Sequence, residues 1–440
     1  MNIQKIRAHF PAIAAGRILT NNAATTQTTF ELLELYKELA TDYDSVHRGL
    51  SKSSQRITEL FEGSYDTIAD FIGAESRENI VLYRNTTESI NSVMYSLLAD
   101  FRDGDNVVTT LMEHNSNYIP WHSLSKEILP KFGINVECRF AKFDKETGEL
   151  DLSQFTSLVD KKTKLICCTG ASNFLGTKTP LNKIKEIADS SGYEQPSGEK
   201  RSYFIVDGCQ LVPHSYIDVK EAGMDFLTWS FHKILAPFGI GVLYAKKELL
   251  LNLPPFLYGG DMIEEGRVST EQVRYNKLPW KFTAGTPNII GTIASAETIK
   301  VILDLVLNQE EDKYFMGSPR IKKNTVKRAM GKIEEYELEI SKVALEEFGK
   351  INNIKLFGPK DAEKKVPLFS FVCRDKSPME IARILNESGI EARAGCHCAS
   401  LAHNYYGLNP LGSCRLSYYF YNTLEEVKKS ITAVKNICLC

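Results

Sequence analysis

The feature that most constrains the fold is a regular alternation of short β-rich runs with helix-like stretches from about residue 80 onward. The runs typical of strands are NIVLY, DNVVTTL, KLICCTG, YFIVDG, FLTWS and GIGVLYA, and apolar residues recur at helical spacing between them. This α/β pattern predicts a mainly parallel sheet with helices on both faces. Because parallel strands run in one direction, the polar residues that follow them meet at one edge of the sheet, where we expect the functional site.

After about residue 275 the pattern changes to that of a smaller α+β domain. KLFGP, PLFSFVC and SCRLSYYF are typical of strands, and PMEIARILNESG and LEEVKKSITAVKNI are typical of helices. We therefore expect a large domain over residues 18–275 and a small domain formed by residues 1–17 and 276–440. A charged segment after residue 308 is typical of a solvated helix and carries no evident chemistry.

The composition favours a small-molecule partner. The 440 residues are 43% hydrophobic and 25% charged, and the net charge of -2 offers no attraction to nucleic acid or to an anionic membrane. The longest apolar run, ILAPFGIGVLY, is interrupted by proline and glycine and falls short of the ~20 residues of a membrane helix. The N-terminal stretch lacks the apolar segment of a secretory signal, and the ten cysteines do not form a disulfide framework, so we expect a cytoplasmic protein.

Three strand ends carry the residue types of a pyridoxal phosphate site. Lys233 follows a strand and lies among aromatic residues, which suits a Schiff-base lysine, although a lysine at an apolar surface is the commoner case. Asp207 ends a buried strand, where it either pairs with a pyridinium nitrogen or caps a turn. Thr86 and Thr87 begin a helix, where they either bind a phosphate or cap the helix. Together, the three features predict pyridoxal 5'-phosphate.

A second cluster, RAGCHCAS, places Cys396 and Cys398 on either side of His397. A structural zinc site normally draws on two separated pairs of ligands with longer spacing, which disfavours a site built from these residues and His403. A disulfide across one residue forms a strained ring and is disfavoured in a reducing compartment. Two interpretations remain for Cys398: a structural thiol, or a nucleophilic thiolate whose pKa the cations Arg393 and His397 of the same loop lower.

Many motifs occur in the order and spacing of a known family. They are LTNNAATTQ, SVHRGLSKSS, NTTESIN, MEHNSNYIPW, ASNFLGTKTP, FIVDGCQLVPH, WSFHK, YGGDMI, KFTAGTPN, RAGCHCA and SCRLSYYFYNT. With them the chain resembles the class V aminotransferase family, and most closely its cysteine desulfurase and selenocysteine lyase branch. The resemblance extends over nearly the whole chain and implies the seven-stranded, mainly parallel sheet of pyridoxal phosphate aminotransferases.

The resemblance also implies a role for each matching residue. Lys233 carries the cofactor and acts as a base, His114 stacks on the ring and moves protons, and Cys398 accepts sulfur. Arg415 binds the substrate carboxylate with help from Arg393 and Asn173. The implied cofactor-binding residues are Thr86, Thr87, His114, Asn173, Asp207, Gln210, Ser230, His232, Lys233 and Thr286, the last reaching the site of the neighbouring subunit in a homodimer.

The implied activity converts L-cysteine to L-alanine and leaves a persulfide on Cys398 for a sulfur-acceptor protein, with no metal. One alternative is a class V enzyme with another substrate, such as selenocysteine, a cysteine conjugate or an amino donor. Another is a sulfur carrier or scaffold that keeps the fold without catalysis. The roles of Cys396, Cys438 and Cys440 stay open.

Four positions depart from the pattern of close relatives. Phe231 replaces a small residue, Asn85 a glycine of the phosphate loop, Asn21 an aspartate and Thr283 a glutamate before AGTPN. These changes alter packing near the phosphate and the expected dimer contact, but they remove no catalytic group. They leave open which amino acid is the substrate.

Overall fold

The computed structural model describes residues 1–236, 239–307 and 320–439. Its helices are α1 (Ile3–Arg7), α2 (Pro11–Ala14), α3 (Phe30–Thr41), α4 (Lys52–Phe71), α5 (Thr86–Ser96), α6 (Ile119–Ser123), α7 (Leu152–Leu158), α8 (Leu181–Ser190), α9 (Lys247–Asn252), α10 (Ile289–Leu307), α11 (Lys323–Gly349), α12 (Pro378–Glu387), α13 (Ser400–Tyr406) and α14 (Leu424–Leu439). Polar side chains begin several of them: Ser51 caps α4, Asp151 caps α7, and Ser377 caps α12 ahead of a proline.

The strands of the described residues fall into two main sheets and two small pairs. They are β1 (Ile18–Leu19), β2 (Ile80–Tyr83), β3 (Asn106–Thr110), β4 (Glu137–Ala141), β5 (Thr163–Thr169), β6 (Tyr203–Asp207), β7 (Phe226–Ser230), β8 (Gly241–Ala245), β9 (Ile263–Val268), β10 (Val273–Tyr275), β11 (Ile354–Leu356), β12 (Leu368–Cys373), β13 (Ile390–Glu391), β14 (Arg393–Gly395) and β15 (Ser413–Ser417).

The large sheet has seven strands in the order β2-β8-β7-β6-β5-β3-β4. Only β8 runs against its neighbours, so the prediction of a mainly parallel seven-stranded sheet is confirmed. The six runs identified in the sequence form β2, β3, β5, β6, β7 and β8. The seventh, β4, lies at the sheet edge with most of its residues partly exposed, which explains why its sequence lacks the apolar run of a central strand.

Both faces of this sheet are buried, as the apolar runs require. Ile166 and Val206 face one core, whereas their neighbours Leu165 and Ile205 face the other. Successive side chains of a strand point to opposite faces, so a strand that is covered twice must be apolar at every position. The carboxyl ends of β3, β5, β6 and β7 then share one sheet edge.

The second domain contains a four-stranded antiparallel sheet in the order β11-β12-β15-β14. Its core holds aromatic and aliphatic residues from the sheet and from α11, α12 and α14. The N-terminal chain joins this region because β1 pairs with β13. The predicted smaller α+β domain is therefore present, and we keep its boundary at residue 275 as a proposal.

The charged segment was only partly predicted. Residues 308–319 lie outside the described residues, whereas the residues from Lys323 onward form α11. Val326, Met330 and Ile333 on one face of α11 are buried, so this part is an amphipathic packing helix rather than a fully solvated one. Among the described helices, none combines the length and apolar character needed to cross a membrane.

Candidate active site

A cavity of about 230 Å³ opens at the carboxyl edge of the large sheet, where we expected the site. The second domain closes it from the other side with residues of β14, β15 and the loop between β14 and α13. With the exception of Thr286, the predicted site residues line this one cavity: Thr86, Thr87, His114, Asn173, Asp207, Gln210, Ser230, His232, Lys233, Arg393, Cys398 and Arg415. Thr286 is exposed in the segment before α10, and its contact with a neighbouring subunit stays a prediction.

Asp207 is a buried carboxylate at the end of β6. Its side chain is nearly inaccessible, at 3% exposed, and its Oδ1 accepts a hydrogen bond of 3.0 Å from the Cys209 backbone N–H. Within the described residues it takes part in no ion pair at 4.0 Å or less. A buried carboxylate normally needs a cationic partner, so this position fits a ligand that presents a protonated ring nitrogen.

The N-terminus of α5 gathers donors for an anion. The Thr86 N–H donates to Ser230 Oγ at 2.9 Å, and the Thr86 and Ser230 hydroxyls share a hydrogen bond of 2.7 Å. Thr87 Oγ1 lies 2.6 Å from Ser116 Oγ. The dipole of an 11-residue helix favours negative charge here, so the hydroxyl cluster fits a phosphate group.

Two local features fix this anion-binding corner. Asn85, which replaces the family glycine, caps α5 by accepting a 3.0 Å hydrogen bond from the Glu88 N–H. Gly241 of the adjacent strand β8 packs so tightly that a Cβ at this position would overlap the backbone of Asn85. The close contact between Gly241 and Asn85 therefore holds the start of α5 against the sheet. Asn85, in place of the family glycine, caps the helix and removes no phosphate-binding group.

Lys233 ends a single 3-10 turn, Phe231–Lys233, that follows β7. Its side chain is partly buried, while Phe231 and Trp229 beside it are fully buried. The N-terminal segment closes over this turn, since the Thr26 N–H donates to the His232 carbonyl at 3.0 Å. This packing holds Lys233 at the cavity wall. No other lysine is among the described residues that line the cavity.

Gln210 and the N-terminal motif form another part of the wall. Gln210 Nε2 donates to the Ala23 carbonyl at 2.7 Å, and both residues line the cavity. This contact explains why LTNNAATTQ belongs to the motif set even though it lies far from the other elements in sequence.

His114 is a neutral imidazole at the cavity. Burial, followed by the positive charge of Lys233, lowers the pKa of His114 to about 4. Its Nδ1 accepts a hydrogen bond of 3.1 Å from the Ser116 N–H, which leaves the ring proton on Nε2. His232 is neutral for the same reasons, because burial and Lys233 lower its pKa to about 4.

Arg415 provides a preformed carboxylate site. It is 1% exposed, and its Nη1 donates to the Asn173 carbonyl at 2.8 Å. Its Nε and Nη2 have no hydrogen-bond partner among the described residues. Burial, and then the charge of Arg393, which lies opposite on β14, lowers the pKa of Arg415 to about 9. Two free donors of one guanidinium and a nearby second cation fit an α-carboxylate.

The cysteine loop is fixed against the large domain. The Asn115 N–H donates to the Cys398 carbonyl at 2.6 Å, and Asn173 Nδ2 donates to the His397 carbonyl at 2.7 Å. His397 and Cys398 both adopt positive φ angles, 51° and 55°, which non-glycine residues rarely do. Such a conformation persists only where surrounding contacts enforce it, as these do. Cys398 lines the cavity, whereas Cys396 does not.

His397 was expected to be a cation beside the thiols, and that expectation is wrong. The side chain is 3% exposed, and its Nε2 lies 3.2 Å from Ser413 Oγ. Burial, and then the charge of Arg415, lowers the pKa of His397, so the imidazole is neutral. Arg393 and Arg415 are the cations of this region.

The zinc interpretation finds no support. No group of three or more histidine, cysteine or acidic side chains suited to a metal occurs in the described part of the chain. His403 instead stacks on Phe174 with ring centroids 3.9 Å apart. Of the described cysteines, each is a free thiol. Cys440 lies outside the described residues, and Cys438 is buried, where burial raises its pKa.

Sequence reasoning missed two residues of this region. Glu113 is fully buried and accepts hydrogen bonds from Thr110 Oγ1, the Thr169 N–H and Asn117 Nδ2 at 2.6, 3.0 and 2.7 Å. It therefore ties the turn that carries His114 to the strand ends, and burial raises its pKa to about 8. Its signal was its position next to His114 in MEHNSN. Cys209 also lines the cavity, but burial raises its pKa to about 12, which makes it a poor nucleophile.

Comparison with known proteins agrees with these features. The aminotransferase class-V family model matches residues 18–327 and 323–429. A probable cysteine desulfurase of Halobacterium salinarum is 33% identical over 442 residues, which cover 99% of this chain and 96% of the relative. The apo cysteine desulfurase of Thermococcus onnurineus superposes with a TM-score of 0.84 at 30% identity, covering 99% of this chain and 98% of that one. A C-DES variant with glycine covalently linked to its pyridoxal phosphate cofactor shares the fold at a TM-score of 0.76 and 16% identity, covering 98% of this chain and 99% of that one.

Proposed function

The chain belongs to the class V aminotransferase family, and from that premise we propose that it is a pyridoxal phosphate-dependent cysteine desulfurase. It converts L-cysteine to L-alanine and keeps the sulfur as a persulfide on Cys398. The observation that carries the proposal is that Lys233, Arg415 and Cys398 line one cavity. The cavity thus combines an amine for a carbonyl cofactor, a site for an amino-acid carboxylate and a thiol acceptor.

The residues present fit pyridoxal 5'-phosphate. The unpaired carboxylate of Asp207 suits the ring nitrogen, and the hydroxyl cluster at the start of α5 suits the phosphate. His114 and Gln210 line the cavity between these two ends, together with Ser230, His232 and Asn173. When bound through Lys233, the cofactor supplies an electron-accepting ring.

The chain's own residues then do the following. Arg415 binds the substrate α-carboxylate through Nε and Nη2, with Arg393 and Asn173 beside it. Lys233 Nζ removes the proton from the substrate α-carbon, and neutral His114 carries a proton on Nε2. Cys398 Sγ, as a thiolate, attacks the substrate sulfur, so that a sulfur–sulfur bond forms as the carbon–sulfur bond breaks and its electron pair goes to the substrate β-carbon. The β-carbon takes up the proton that Cys398 lost, and the α-carbon regains the proton that Lys233 removed, which gives alanine.

The test is a spectrum combined with product assays. The purified protein is expected to be yellow, and Lys233→Ala is expected to lose the visible band. L-Cysteine is expected to yield alanine, measured separately from sulfide, and selenocysteine and cystine are assayed in parallel. A colourless protein would favour a non-catalytic carrier, and the absence of alanine from all three substrates would refute the proposal. Full alanine production by Cys398→Ala would exclude Cys398 as the sulfur acceptor, whereas simple elimination would give sulfide, pyruvate and ammonia in place of alanine.

The assembly and setting are further parts of the proposal. A homodimer would let exposed Thr286 reach the phosphate end of the neighbouring cavity. A sulfur-acceptor protein would take the sulfur from the persulfide. The free state of the described cysteines supports the expected cytoplasmic location.

A further inference from the structure

The loop that carries Cys398 is fixed at several points. At its start, Gly395 pairs with Ser413 of β15, and any Cβ on Gly412 would meet the Gly395 backbone at 3.1 Å. Further along, the carbonyls of His397 and Cys398 accept the hydrogen bonds from Asn173 and Asn115 described above. Delivery of sulfur by an outward swing of Cys398 would break both hydrogen bonds, each worth about 0.5–1.5 kcal/mol.

Cys396 lies in the same loop, outside the cavity. It is partly exposed but does not line the cavity, whereas Cys398 does. Its carbonyl accepts a 2.8 Å hydrogen bond from the Ala399 N–H, which folds the loop into a turn. Residues two apart have Cα atoms no more than about 7.2 Å apart even in an extended chain, and the relay requires rotation of both side chains to bring the sulfur atoms together.

The buried His397 stands between the two cysteines in the loop. Its imidazole Nε2 lies 3.2 Å from Ser413 Oγ, which anchors the backbone beside it. The other described cysteines are less suited to carry sulfur out of the cavity. Cys167, Cys168, Cys373, Cys414 and Cys438 are buried, Cys138 lies on the edge strand β4, and Cys209 lines the cavity itself, where its Sγ lies 2.9 Å from Thr86 Oγ1.

We propose that Cys396 is a relay thiol, which takes the outer sulfur of the Cys398 persulfide and presents it to an acceptor thiol outside the cavity. This inference rests on the proposed function. The Cys396 thiolate attacks the outer sulfur, and a bond forms between that sulfur and Cys396 Sγ. The bond to Cys398 Sγ breaks, and its electron pair stays on Cys398 as a thiolate. The proton that Cys396 loses equals the proton that Cys398 takes up, and no external oxidant or reductant is required.

The geometry favours attack on the outer sulfur over attack on the inner one. Attack on Cys398 Sγ itself would release sulfide and close a disulfide across a single intervening residue. That residue is His397, already at a positive φ of 51° and bound to Ser413 and Asn173, so the loop has little freedom to adopt disulfide geometry. Attack on the outer sulfur closes no ring.

The experiment maps the sulfur after reaction of the holoenzyme with substoichiometric L-cysteine. Persulfides are trapped with iodoacetamide, and the peptides are analysed by mass spectrometry. A thiol-terminated polyethylene glycol then serves as an acceptor outside the cavity. The variants are Cys396→Ser and the matched control Cys138→Ser, which replaces a partly exposed thiol on β4.

The relay predicts an added sulfur atom on Cys396 as well as on Cys398 in the wild type and in Cys138→Ser. In Cys396→Ser the added sulfur is expected on Cys398 alone, and its loss to the polymer thiol is expected to slow about tenfold, since the attacking thiol must enter the cavity. A wild type with sulfur only on Cys398, or with a Cys396–Cys398 disulfide and free sulfide, would overturn the relay. Absence of both alanine and protein-bound sulfur would instead refute the proposed function.

Discussion

Replacing Arg415 with lysine tests whether this residue binds the substrate carboxylate, because the free energy of one lost hydrogen bond sets the expected fall in kcat/KM. Arg415 is buried, keeps one bond to the Asn173 carbonyl, and holds Nε and Nη2 free for a carboxylate. Lysine retains the charge but cannot donate two parallel hydrogen bonds. Loss of one charge-assisted hydrogen bond costs about 1.5–3 kcal/mol, which corresponds to a fall of about 10- to 150-fold in kcat/KM for L-cysteine.

The assay is alanine formation over a range of L-cysteine concentrations. The matched control is Arg383→Lys, which alters an exposed arginine paired with Glu387 on α12. A change of less than about threefold in Arg415→Lys, with the cofactor spectrum intact, would refute the assignment of Arg415 to the carboxylate.

Three further predictions concern the framework of the site. Gly241→Ala should destabilise the protein by about 1–3 kcal/mol and weaken cofactor retention, since the new Cβ overlaps the start of α5; an unchanged Tm and spectrum would contradict this. Because burial raises the pKa of Glu113 to about 8, its protonated form stabilises the folded protein. This stabilisation is complete below the pKa that Glu113 has in the unfolded chain, and it is lost as the pH rises through about 8. Glu113→Gln should therefore flatten the decline of Tm between pH 5 and about 8, whereas an identical slope would show that another group titrates. Asn173→Ala frees the His397 carbonyl and should speed alkylation of Cys398 by iodoacetamide about fivefold, as expected for a lost hydrogen bond of about 1 kcal/mol; an unchanged rate would mean that the loop is held elsewhere.

The strand ends were predictable because their sequences obey a single physical rule. A parallel strand buried on both faces is an apolar run, and the polar residue that follows it must lie at the carboxyl edge of the sheet. Asp207 and Lys233 could be assigned to a common site on that basis. The edge strand β4 could not, since partial exposure removes the apolar signal.

Contacts between residues that lie far apart in the chain could not be predicted from the sequence. Glu113 joins separate segments by hydrogen bonds, and only its position next to His114 pointed to it in the sequence. His397 stands between two cysteines in a polar loop, yet β15 encloses it and keeps it neutral. The same enclosure separates Cys398 from Cys396, which looked equivalent in the sequence.

The central claim is that the substrate sulfur passes to Cys398 before it leaves the enzyme. The most direct measurement is the first-turnover stoichiometry of the holoenzyme with L-cysteine and no acceptor thiol. The account predicts one protein-bound sulfur for each alanine formed, and neither product from Cys398→Ser. Pyruvate, ammonia and free sulfide in place of alanine, with no sulfur bound to the protein, would contradict it.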